Sequence, residues 1–66
     1  MQHMIRIIFN DGRTQDVSLL ANVSKSEFGM LLNQQLVQNP DGRIELDNDG
    51  NAITYNIADI SHINVL

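Results

Sequence analysis

Four of the chain's eight acidic residues, Asp41, Glu45, Asp47 and Asp49, fall within nine consecutive positions, the densest run of chemistry-bearing side chains in the sequence. Glu45-Leu46-Asp47-Asn48-Asp49-Gly50 sets oxygen ligands at alternate positions ahead of a glycine, a partial echo of a calcium loop. An EF-hand also needs flanking helices and a bidentate Glu at the twelfth loop position, where this chain has Asn56. Leu46 is explained more simply as a core-facing strand residue, with Asp49-Gly50 as a hairpin turn. Paired carboxylates also perform acid–base work in glycosidases. Acids on or beside turns, however, are solvated and cap backbone amides, so these four read as an acidic surface. No metal or cofactor is expected.

His62 is the histidine placed inside the expected fold. Its neighbour Ser61 falls on the opposite face of a regular strand, and the chain has no cysteine, so no nucleophile–base pair is expected. Asn22-Val23-Ser24 matches a glycosylation acceptor, but Ser24 is accounted for as a helix cap. The expectation is a protein that is not an enzyme.

Composition narrows the classes further. The net charge is −4 and the basic residues are Arg6, Arg13, Lys25 and Arg43 alone, which disfavours binding to DNA or RNA phosphates. No apolar run approaches the ~20 residues needed to cross a bilayer, and the start lacks a signal-peptide pattern. A cytoplasmic protein is the expectation. Met1-Gln2-His3 is read as a cloning remnant or a disordered start, and the whole of 1–66 as one domain. A chain of this length buries only ~60 % of the surface that its unfolded form exposes. Without cysteine it has no disulfides or thiolate metal sites to compensate, so self-association is expected to add stability. It also has little material for a concave pocket of ~300 Å³ or more within one copy.

The elements that would position these groups are marked by turns. Three of the four glycines follow an aspartate, at Asp11-Gly12, Asp41-Gly42 and Asp49-Gly50, where Gly supplies positive φ and Asp bonds the local backbone. Between them, Met4–Phe9 reads as a strand with Ile5, Ile7 and Phe9 on one face and Met4, Arg6 and Ile8 on the other. Thr14–Leu20 is its return strand, with Val17 and Leu19 inward. Ser24-Lys25-Ser26-Glu27 fits a capping box, and Val23 and Phe28 occupy the positions of a hydrophobic staple. Phe28, Leu31, Leu32 and Leu36 continue at helical spacing, and Asn39-Pro40 stops the helix, giving 25–38. Arg43–Asp47, Ala52–Ile57 and Ser61–Leu66 supply three more strands, with Ala58-Asp59-Ile60 as a turn or 3₁₀ step. The expected fold is α+β in β-β-α-β-β-β order, one helix on one face of a four- to five-stranded, mostly antiparallel sheet.

This order resembles the β-grasp, or ubiquitin-like, arrangement. Tyr55-Asn56-Ile57 through His62-Ile63-Asn64-Val65-Leu66 is similar to the Tyr-Asn-Ile segment and final strand of that family, over about a dozen residues. The tight turn at Asp49-Gly50 departs from the family pattern. Because the sequence stops at Val65-Leu66 without a Gly-Gly tail, the resemblance implies no modifier role. In general style the chain also resembles short uncharacterised proteins of Gram-positive bacteria and their phages, which implies no activity.

Met4, Ile8, Met30 and Leu66 are the apolar residues left outside the expected core. With Arg6 they mark an expected interface, either with a second copy or with an unidentified protein partner. The first or last strand offers a further route, by pairing edge to edge with another copy. The leading expectation is a non-catalytic interaction module that forms homo-oligomers. The alternatives are an acidic phage-type inhibitor presenting Asp41, Glu45, Asp47 and Asp49 in place of phosphates, and a nucleotide binder using Arg6, Arg13 or Arg43 between subunits. No phosphate-cradling glycine loop supports the last of these.

Overall fold

A computed structural model describes residues 1–48 and 50–66, in the order β1 (Gln2–Phe9), β2 (Thr14–Leu20), α1 (Lys25–Gln38), β3 (Arg43–Asn48), β4 (Asn51–Asn56), a 3₁₀ turn (Ile57–Asp59) and β5 (Ile60–Val65). Two of the Asp-Gly turns adopt the backbone expected of them, with φ of 92° at Gly12 and 86° at Gly50. At the first, the Gly12 N–H donates to Phe9 O (3.0 Å) and the Phe9 N–H to Arg13 O (2.9 Å), a three-residue loop with glycine in the left-handed position. Gly42 differs: its φ is not positive, and an added Cβ would meet the side-chain amide of Asn39, which would have to turn away.

The strands do not join into one sheet of four or five. They form a three-stranded sheet ordered β2-β1-β5 and a separate β3-β4 ribbon, and every pairing is antiparallel. Where β2 and β3 approach, a side chain replaces the ladder: the outward Ser18 N–H donates to Asn48 Oδ1 at 3.3 Å. β1 is paired on both sides, so of the two terminal strands only β5 lies at a sheet edge.

Alternation places Ile5, Ile7, Val17 and Leu19 inside, with Ile44 and Leu46 from β3 facing them. β5 breaks the alternation. Ile8 pairs with His62 but Phe9 pairs with Ile60, so Ser61 is an extra residue in a bulge. Ile60 and Ile63 consequently both face the core, although they are three apart, while Ser61 and His62 are both exposed.

The helix begins and ends where its signals place it. Ser24 has extended backbone and its hydroxyl accepts from the Glu27 N–H at 3.2 Å, while the Glu27 carboxylate makes no return bond to the Ser24 N–H among the described residues. Ser24→Ala is therefore expected to cost about 1 kcal/mol, read by urea denaturation. Leu32 and Leu36 are buried and Phe28 is half-buried, but Leu31 is exposed. The helix is rolled toward β5, bringing Gly29 within 3.5 Å of the Val65 side chain, were it to carry a Cβ. That roll lifts Leu31, on the far side of Phe28, into solvent.

His3 belongs to β1, is buried, and docks the helix start. Its ring lies 5.2 Å from that of Phe28, and its Nε2 is 3.0 Å from Val23 O, a contact that requires the Nε2–H tautomer. The Met1 carbonyl also accepts from the Ala21 N–H (2.9 Å). Both contacts tie the first three residues to the body of the fold.

Candidate functional site

β1 presents Met4, Arg6 and Ile8 on the face of the three-stranded sheet opposite its buried isoleucines. Leu66 lies beside Met4, where its N–H donates to Met4 O at 2.9 Å. Met4 and Leu66 are exposed and Ile8 is half-buried. Arg6 sits between Met4 and Ile8 and forms a two-pronged pair with Asp16 opposite it on β2, Nε to Oδ1 at 2.9 Å and Nη2 to Oδ2 at 3.1 Å. Four of the five expected interface residues thus share one surface. Met30 does not: it lies on the outer side of α1, where it lines a shallow, open depression of about 560 Å³ with Gly29, Asn33, Gln34 and Val37.

The Arg6 hydrogen bonds hold the Asp16 carboxyl below the usual carboxylate range, and Asp16 in turn raises Arg6. The backbone N–H of Arg13 lowers Asp11 in the same way, with the Arg13 guanidinium adding to it (Nε to Oδ2, 2.6 Å). A carboxyl that is more acidic in the folded state binds fewer protons than in the unfolded chain. Its stabilisation is present above the unfolded value of about 3.9 and is lost as pH falls through the lower folded value. Thermal melts between about pH 6 and pH 2 are expected to fall less steeply for Asp16→Asn than for the parent chain, by a small margin because the pair is exposed.

Of the acidic run, Glu45 and Asp47 share the exposed face of β3, Asp41 lies in the turn before that strand, and Asp49 lies outside the described residues. Asp47 Oδ1 accepts from the Gly50 N–H (3.1 Å), serving the turn. Among the described residues no three His, Asp or Glu side chains converge as metal ligands.

Ser61 and His62 are not on opposite faces as expected, because the bulge lets the Ser61 hydroxyl reach His62 Nδ1 at 3.1 Å. Both are exposed, and neither lines a pocket or has a third described residue orienting it. The arrangement therefore lacks the held base and the water-excluded site that nucleophilic catalysis needs. Of the three arginines considered for a phosphate site, Arg6 and Arg13 are each engaged with a carboxylate, and Arg43 stands on the exposed face of β3.

A second concavity, in addition to the open depression at Met30, also exceeds what the chain's length suggests. A groove of about 480 Å³ opens between β2, α1 and β3, floored by Leu19, Phe28, Leu32 and Leu46 and rimmed by Glu45 and Asp47. It exists because β2 and β3 do not pair. Tyr55 faces Phe9 (5.8 Å between rings), and burial raises its phenol while leaving the hydroxyl without a hydrogen-bond partner among the described residues.

The residues that sequence patterns overlooked are amides. Asn33 on α1 donates from Nδ2 to Ile63 O (2.7 Å) and Gly29 O (2.8 Å), and its Oδ1 accepts from the Ile63 N–H (2.9 Å). It thereby occupies the edge of β5 as a neighbouring strand would. A polar residue one position past a leucine pair is the only trace of this in the sequence. No described helix is long and apolar enough to cross a membrane. No family model matches the chain, and neither a curated protein nor a solved structure matches it.

Proposed function

We propose that the chain is a small, cytoplasmic, non-catalytic protein-interaction module that self-associates through an uncovered part of its sheets. The observation that carries this reading is the adjacency of the exposed Met4 and Leu66, with Ile8 beyond the Arg6–Asp16 pair, on the sheet face opposite the core. Light scattering is expected to show an assembly at high micromolar concentration; a strict monomer there overturns the reading.

A second reading, an acidic inhibitor of a nucleic-acid-binding enzyme, draws on Glu45 and Asp47 projecting together from β3 beside the groove. It requires salt-sensitive binding to a basic target that is lost in Glu45→Gln with Asp47→Asn. Two neighbouring acids beside Arg43 on the same strand are a sparse imitation of a phosphate backbone, so this reading ranks below the first.

A further inference from the structure

Five strands in two sheets leave several edges, and the chain treats them differently. On β5 the outward backbone groups of Ile63 are both bonded to Asn33, and Gly29 brings the helix against Val65. On β2 the outward Ser18 N–H is taken by Asn48, and the edge carries Asp16. The outer edge of β3 carries Arg43, Glu45 and Asp47. These are recognised ways of blunting an edge: cover it, occupy its donors, or charge it.

β4 has none of them. It pairs only with β3, and Asn51-Ala52-Ile53-Thr54-Tyr55-Asn56 holds neither a charged residue nor a proline. The Ile57 N–H donates to Gly42 O at 3.0 Å, so Ile57 and Gly42 form a bonded pair. Antiparallel alternation then turns the backbone groups of Tyr55 and Ile53 toward β3, and those of Ala52, Thr54 and Asn56 outward. The outward three make no hydrogen bond to another described residue.

We infer that β4 pairs antiparallel with β4 of a second copy about a two-fold axis at Thr54, joining the two ribbons into a four-stranded β3-β4-β4-β3 sheet. This rests on the self-association proposed above and places a contact at the β4 edge, apart from the Met4–Leu66 face. Three observations choose a second copy as the occupant. The edge is neutral in a chain of net charge −4, so two copies meet here without the like-charge opposition that β2 or β3 would bring. The register centred on Thr54 is self-complementary: Thr54 faces Thr54 of the partner subunit, and Ala52 faces the partner's Asn56, so each outward residue finds a rung. The other edge free of Asp, Glu, Lys and Arg, β5, is already occupied. Six residues of edge pairing bury little area, below the ~1,200 Å² of a standard interface, so the dimer is weak and concentration-dependent.

Sedimentation of the full chain from about 10 µM to 1 mM, with amide hydrogen exchange by NMR, tests this. The dimer is expected to form, with exchange at Ala52, Thr54 and Asn56 slowing as concentration rises. Thr54→Pro removes an N–H that the single copy does not use, a position where an edge strand tolerates proline. It is expected to weaken the dimer at least tenfold while the spectrum stays dispersed. Thr54→Lys charges the same edge and is expected to do the same, and it decides the matter if the proline variant unfolds. Variants that dimerise like the parent chain overturn the β4 contact and leave self-association standing. A parent chain that stays monomeric throughout overturns both.

Discussion

Ile7→Ala is expected to leave the chain largely unfolded at room temperature. Ile7 is fully buried between Gln15 on β2 and Ile63 on β5, in the central strand of the three-stranded sheet. Truncating such a residue removes three carbons from a site that paired strands on both sides prevent from collapsing. The cost is about 3–5 kcal/mol, lost transfer energy together with the cavity left behind. A domain of this size without a disulfide holds only about 3–5 kcal/mol in total, so one truncation consumes the margin. Ile7→Val removes one methyl and costs about 1 kcal/mol, leaving the fold intact with a melting temperature roughly 4–8 °C lower. Far-UV circular dichroism and thermal melts distinguish these outcomes. If the alanine variant melts within a few degrees of the parent chain, β1 is not the clamped centre of the core. A dimer held by β4 would raise apparent stability with concentration, so the comparison is made at a fixed low concentration.

What was legible in the sequence is what depends on local chemistry. The helix at 25–38 follows from Ser24 at one end and Asn39-Pro40 at the other, both of which act within a turn of the chain. Gly12 and Gly50 take positive φ because a short antiparallel connection demands it. Inward alternation in β1, β2 and β3 reads directly from Ile5 and Ile7, Val17 and Leu19, and Ile44 and Leu46. Four of the expected interface residues share a face for the same reason, since Met4, Arg6 and Ile8 are two apart on one strand.

The rest depends on which element lies beside which, and period alone does not carry that. Where the two sheets meet, Asn48 reaches the edge of β2, and a neutral amide has no signature in a hydrophobic pattern. The bulge at Ser61 shifts the alternation of β5 by one residue, so Ile60 reads as turn when it is core. The same shift brings Ser61 against His62. Leu31 has the right spacing for the helix's inner stripe but lies on the side that the approach of Gly29 to Val65 lifts away. Gly42 resembles the other two Asp-Gly turns in sequence and differs in structure, since it lies beside the Asn39 side chain and does not supply positive φ.

Asn33 is the residue on which helix and sheet depend together, and its replacement is the second large effect expected. Its side-chain amide uses both donors and its acceptor, bridging Gly29 in its own helix to the backbone of Ile63. Asn33→Ala leaves the Ile63 N–H and carbonyl unpaired in a partly covered position. An unsatisfied group there costs about 1–3 kcal/mol, so the variant is expected to lose about 2 kcal/mol or more and roughly 10 °C in melting temperature. Asn33→Asp separates the two bonds: the carboxylate still accepts from the Ile63 N–H but sets negative charge against the Ile63 carbonyl, and it is expected to be at least as damaging as alanine above the carboxylate pKa. Amide exchange gives the local readout. The Ile63 N–H is expected to exchange slowly in the parent chain and to lose much of that protection in Asn33→Ala, while the Ile5 N–H on the central strand is slowed by whatever global stability remains. Uncovering the β5 edge also adds a second neutral, open edge to a chain that already has one in β4, so the alanine variant is expected to aggregate on heating where the parent chain refolds. Unchanged exchange at Ile63 in the alanine variant would mean that water serves that edge as well as the amide does, and that the helix is held to β5 by packing alone.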